Sequence, residues 1–207
     1  MSNGIQDKYR VVVDALSDRM MADEFKRNRD REFLRSKDGL TQRLAISLRE
    51  PEGERVAYVE VFPGFNYSEV EALAYKLQNK KPRPSFLTCS MNIGLLTPKN
   101  SLLEWPLESR TDTKVLSKTV IDTVNRYAFP FWEDFSTLDK LLARYEAGDR
   151  RVCTGDWSWR QAAAYAVAGR PEKAAEVLKA KLEKASPAGR SAIDAALEQL
   201  AQQTARR

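Results

Sequence analysis

The stretch that most constrains the fold is residues 86–98, FLTCSMNIGLLTP. Leu87, Cys89, Met91, Ile93 and Leu95 are apolar, and Thr88, Ser90, Asn92 and Gly94 between them are small or polar. A period of two marks a β-strand with one buried face and one facing solvent or a partner. It is the longest clean alternation in the chain, so it is expected to be the central strand.

Strand signals recur upstream of it. Phe25, Phe33 and Leu34 punctuate the polar stretch 23–37, which suits a poorly buried strand or strand pair. Asp38-Gly39 is a two-residue hairpin turn. Leu44, Ile46 and Leu48 then alternate through 40–49, and EPEGE (50–54) forms a second turn. Residues 55–62 are apolar on both faces, as in a strand covered on both sides, and Pro63-Gly64 is expected to end it. Strands arriving as hairpins predict an antiparallel sheet of about four strands and an α+β fold.

Helical signals surround these strands. Ile5, Tyr9, Val12, Val13, Leu16 and Met20 share one face of a helix over 5–22. Ser68 with Glu71 reads as a capping box opening a helix to about Gln78, with Val70, Leu73, Ala74 and Leu77 inward. Thr111 or Asp112 caps a helix carrying Val115, Leu116, Val120, Val124 and Tyr127. Pro130 interrupts it, and a further helix holds Phe131 to Tyr145.

From Asp156 the chain turns alanine-rich. A helix over 157–168 stops at Gly169, Pro171 opens the next, and Ser186-Pro187 starts a third. The pattern W-x-x-A-x-A-Y-x-x-A-G-R-P-E-x-A resembles one tetratricopeptide-like hairpin, and one hairpin is short of the roughly three needed for a repeat array. Two parts are therefore expected: an α+β domain over 1–150 and a three-helix appendage over 151–207 docked on it. Leu138, Leu142 or Tyr145 should receive the appendage, with Trp157 or Trp159 entering the contact.

The chemical inventory is restrictive. Histidine is absent, which excludes Ser-His and Cys-His nucleophilic catalysis and the histidine-bearing zinc motifs. Two cysteines, Cys89 and Cys153, supply neither a four-cysteine metal site nor a disulfide framework. The nine glycines include no G-x-G-x-x-G spacing and no Gly-Lys-Ser/Thr, so phosphate-cradling loops are missing. No cofactor and no metal site is expected. Glu60, inside VAYVEVF, is the best carboxylate for an enzymatic role; its alternative is a structural pairing with an Arg on a neighbouring strand.

The longest apolar run is the seven residues 162–168, against the ~20 of a membrane span. No secretory leader is recognisable at the start, and the expectation is a soluble cytoplasmic protein without membrane contact. The formal charge is +5, with Lys and Arg outnumbering Asp and Glu ten to six after residue 150 and 24 to 23 before it. That diffuse excess, with Lys26, Arg27, Arg29, Lys80, Lys81 and Arg83, leaves nucleic-acid binding open as an alternative. Partner-binding candidates are Phe65 and Tyr67 in the loop PGFNY, the basic residues Lys80, Lys81 and Arg83, and Trp105 in LLEWPL; the competing readings make Phe65 a core anchor and Trp105 a lid on the sheet.

Four landmarks carry a family resemblance: FKRNRDREFLR (25–35) after an amphipathic helix, NIGL (92–95), EWPL (104–107) and FPFWEDF (129–135). Together they resemble the bacterial domain-of-unknown-function family 4304 across roughly residues 5–148. The resemblance implies no reaction and no catalytic residues. It implies a binding role of the kind filled by immunity proteins encoded beside bacterial toxins. Immunity proteins against nuclease toxins tend to be acidic, so this basic chain points to a neutral or acidic protein partner.

Overall fold

A computed structural model describes residues 3–29, 31–54, 56–81, 87–153 and 157–204. The chain forms two units, each built from two separated segments: 1–65 with 90–133, and 66–89 with 134–207. A cut at residue 150 falls inside the second of these. The fold is α+β with an antiparallel sheet and C-terminal helices.

The first unit opens with α1 (Asn3–Met21), whose six anticipated inward residues, from Ile5 to Met20, are all buried. Strands β1 (Lys26–Asn28), β2 (Glu32–Lys37), β3 (Leu40–Arg49) and β4 (Ala57–Tyr67) follow. Two short strands, β5 (Cys89–Ser90) and β6 (Trp105–Leu107), complete a six-stranded sheet. Its order is β1-β2-β3-β4-β5, with β6 pairing β4. Pairings β1/β2, β2/β3 and β4/β6 are antiparallel. Lys37 faces Leu40 across the Asp38-Gly39 turn, where both turn residues have positive φ (50° and 78°), as the tight primed hairpin turn requires.

Two strand expectations are corrected. The described part of this stretch, 87–98, is not a central strand: within it only Cys89–Ser90 form a strand, and Ile93–Leu96 form a 3₁₀ turn, while Phe86 lies outside the described residues. Of the even positions only Ser90 is exposed, whereas Thr88, Asn92 and Gly94 are buried. Asn92 explains the change. Its Oδ1 accepts from the Gly94 and Leu103 amides, both at 2.9 Å, and its Nδ2 donates to the Leu103 carbonyl at 3.2 Å. A side chain that satisfies the backbone locally competes with a sheet ladder and here wins. Conversely, β4 runs through Pro63-Gly64 to Tyr67. Proline lacks only the donor, and the Pro63 carbonyl still accepts from the Met91 amide at 3.2 Å.

The helical part of this unit is α3 (Thr113–Thr123), capped by Asp112, whose carboxylate accepts from the Lys114 and Val115 amides. Val115 itself lies outward, 63% exposed, although its apolar spacing points inward. Helix does not stop before Pro130. A π-helical turn (Val124–Ala128) leads straight into α4 (Phe129–Asp134). The π-helical turn ends just before the Phe129-Pro130 step, where the missing N–H of Pro130 interrupts the regular i→i−4 ladder. The turn aims Phe131 and Trp132 into the core, where the Trp132 indole donates to the Gly64 carbonyl at 2.8 Å. Phe25 packs on Trp132 at 5.0 Å and edge-on to Phe129 at 6.4 Å, so the residue expected to be poorly buried is a core aromatic.

The second unit contains α2 (Ser68–Leu77), α5 (Leu138–Glu146), α6 (Ser158–Val167), α7 (Pro171–Glu183) and α8 (Pro187–Thr204). Thr137 caps α5 and Pro171 opens α7. Ala162, Ala163 and Ala164 on α6 and Ala174 on α7 are wholly buried, and these small side chains let α6 approach both α2 and α7 closely. The Trp157 ring stacks on Tyr145 of α5, 5.9 Å apart and 14° from parallel, and Trp159 is buried. No helix among the described residues is long and apolar enough to cross a membrane.

Candidate functional site

The aromatic partner-binding candidates are inside the protein. Phe65 is fully buried against Phe131, with ring centroids 5.6 Å apart. Tyr67 ends β4, and its hydroxyl donates to the Phe135 carbonyl at 2.7 Å, while burial raises its phenol well above the ordinary value. Trp105 is 8% exposed and sits opposite Val59 in the β4/β6 register. Phe65 and Tyr67 are core residues because β4 continues where a loop was expected, and Trp105 on β6 covers the sheet beside them. Lys80 and Lys81 are exposed just after α2, and Arg83 lies outside the described residues.

Glu60 is engaged structurally. Ser47 donates to its Oε2 at 3.1 Å, and the Arg49 guanidinium, on the adjacent strand β3, lies 4.0 Å from its Oε1. Arg49 also pairs with Glu104 and lies 4.6 Å over the Tyr58 ring. This is a charge ladder across the sheet. None of the described clefts is lined by Glu60.

The most buried charges lie in the second unit. Glu71 forms no capping box: Tyr67 is the N-cap residue of α2 and makes no side-chain cap bond. The Glu71 carboxylate, 8% exposed, accepts instead from Arg160 Nε of α6 at 2.8 Å. Its second oxygen and the buried Tyr145 hydroxyl have no hydrogen-bond partner among the described residues. Nearby, Asp134, Asp149, Arg144 and Arg151 form an ion-pair network with contacts from 2.7 to 3.8 Å. Arg151 also lies 5.0 Å over the Phe135 ring. Among the described residues, no three His, Cys, Asp or Glu side chains converge as a metal site would require.

Both cysteines belong to this unit and are free thiols. Cys89 Sγ donates to the Arg151 carbonyl at 2.9 Å, and burial pushes its pKa up to about 12. Cys153 is partly exposed, and burial followed by the Asp149 carboxylate raises its thiol too. Thiolate is the reacting species, so neither is an activated nucleophile at neutral pH. A disulfide reagent at pH 7.5 is expected to label Cys153 slowly and Cys89 only after unfolding. Two rapidly reacting thiols in the native protein would contradict this environment.

Three clefts lie among the described residues; one of about 380 Å³ runs between α6 and α7 beside Trp157, Gln161 and Lys181, and two others are better placed to hold a partner. In the second unit, α7 and α8 leave an open groove of about 520 Å³. Pro171, Ala175, Leu197, Leu200 and Ala201 line it, with Glu172 and Lys179 at its edges. In the first unit, a polar cleft of about 370 Å³ lies between one face of α1 and the β1–β2 hairpin. Arg10, Arg27 and Arg31 converge there around Tyr9. Sequence reasoning missed both. The groove has a signal in retrospect: Leu197 and Ala201 stand one helical turn apart on the side of α8 that buried Leu200 leaves partly open.

Compared with known protein families, with curated proteins and with solved structures, the chain matches none.

Proposed function

We propose that this chain is a non-catalytic, cytoplasmic protein-binding protein whose contact surface is the α7–α8 groove. The supporting observation is the groove itself: an apolar floor between two helices, open to solvent, with one acidic and one basic residue at its edges. Such a trough suits the apolar face of a partner helix, anchored at i, i+3 and i+4, while the edge charges select orientation. A neutral or acidic protein, with a bacterial toxin as the class that the family resemblance suggests, is the partner. The role needs no reacting groups, in keeping with a chain that has no histidine.

Filling the trough tests this. Ala175→Arg and Ala201→Arg place a long side chain into it from half-buried and exposed positions, and both keep good helix propensity. In the native host the wild-type chain is expected to co-purify with one stoichiometric protein. The double variant should lose it while melting within about 2 °C of wild type, as surface substitutions usually do. A wild-type chain that elutes alone, or a partner retained equally by the filled groove, removes the proposal.

A further inference from the structure

The arginine cleft of the first unit has the parts of an anion-binding site, and it does not depend on the groove. Its wall is α1, where Tyr9, Arg10, Val13 and Asp14 fall on one face at i, i+1, i+4 and i+5. Tyr9 is anchored: its hydroxyl donates to the Ile46 carbonyl at 3.0 Å, and burial holds the phenol un-ionised with a pKa of about 12. The Arg31 guanidinium lies over that ring, 5.3 Å from its centroid. Stacking of this kind fixes the plane of the fork while leaving its N–H edges free to donate.

Charge in the cleft is unbalanced. Asp14 takes Arg27 at 3.0 Å. Arg10 reaches only Asp7, at 3.9 Å, with both side chains more than two-thirds exposed, a contact that contributes little. Among the described residues Arg31 pairs with no carboxylate. Among the described lining residues Asp14 is the one carboxylate, and it is engaged by Arg27, so Arg10 and Arg31 face the cleft without a close acidic partner inside it. Guanidinium forks match the paired oxygens of a phosphate in a way that a point charge does not.

We infer that this cleft binds a phosphate group, held by Arg31 and Arg10 and steered by Arg27. Arg31, pre-oriented on Tyr9, takes two phosphate oxygens, and Arg10 closes from the helix side. Asp14 disfavours a second anion and keeps Arg27 extended. A free phosphate or phosphomonoester and the backbone of a nucleic acid would present the same group, and the chemistry at the cleft is shared.

The test uses the full chain. Inorganic phosphate and phenyl phosphate are titrated while arginine Nε–H and backbone amide resonances are followed, against Arg31→Gln, Arg31→Lys and Arg10→Gln. Saturable shifts confined to α1 and the β1–β2 turn are expected. Arg31→Gln should weaken binding by roughly tenfold or more, the usual effect of losing a charge-assisted pair. Arg31→Lys should recover only part, because it restores charge without the fork. A short single-stranded oligonucleotide forms the second arm: displacement of phosphate in an Arg31-dependent way identifies nucleic acid as the source, and no displacement identifies a small phosphate. Shifts that never saturate, or that persist unchanged in Arg31→Gln, overturn the inference.

Discussion

Arg160→Ala is expected to destabilise the second unit by about 3–5 kcal/mol, the usual cost of stranding one member of a buried ion pair. Glu71 is the reason. Its carboxylate is 8% exposed, accepts from Arg160 at 2.8 Å, and has one oxygen already without a hydrogen-bond partner among the described residues. Without the guanidinium, a charge that has given up most of its hydration faces only helix. The midpoint of urea unfolding, followed through tryptophan fluorescence, should fall accordingly, with two transitions resolved if the units unfold separately. The double variant Glu71→Leu/Arg160→Leu should regain most of the loss, because an apolar pair of similar volume needs no compensation. A loss below about 1 kcal/mol for Arg160→Ala would mean that water reaches Glu71 and the pair is a surface one.

Gly94→Ala should cost about 2–4 kcal/mol through overpacking and lost hydrogen bonds. A Cβ at this position would lie 2.2 Å from the Ser101 carbonyl oxygen and 2.5 Å from the Leu103 amide nitrogen. Both are backbone atoms, so no rotamer change relieves the contact. The 101–103 segment must move away, and Asn92, which holds Gly94 and Leu103 together, then loses its bonds. Gly53→Ala is the control: nothing lies within 4 Å of its Cβ, and only its φ of +80° opposes the change, a penalty of about 1 kcal/mol. Equal melting temperatures for the two variants would show that the 92–103 loop is looser than this packing requires.

These two sites also show where sequence reading ends. Features set within a few residues were legible: the Asp38-Gly39 hairpin turn, the Asp112 cap, Pro171 opening α7 and the buried face of α1. Each depends on local dihedral preference or on the repeat of a single helix, which neighbouring residues determine. The α+β class follows in the same way, from hairpin-like strands flanked by helical periods.

What failed was decided by partners beyond the reach of a single turn or strand, from seven to nearly ninety residues away. The alternation over 86–98 would suit a strand, but Asn92 finds Leu103 and the buried Gly94 finds Ser101, so the segment curls. Ser68 and Glu71 have capping-box spacing, yet Glu71 is drawn to an arginine 89 residues on. Pro63-Gly64 reads as a stop, but the Met91 amide and the Trp132 indole donate to the carbonyls that β4 offers there, and the strand passes through with Phe65 in the core. The arginine cleft follows the same rule, since neither α1 nor the β1–β2 hairpin contains it alone. Short-range preferences are worth tenths of a kcal/mol to about one, whereas a buried charge or an unpaired backbone group costs several times that. Where the two compete, the distant contact prevails, and only the tertiary structure contains it.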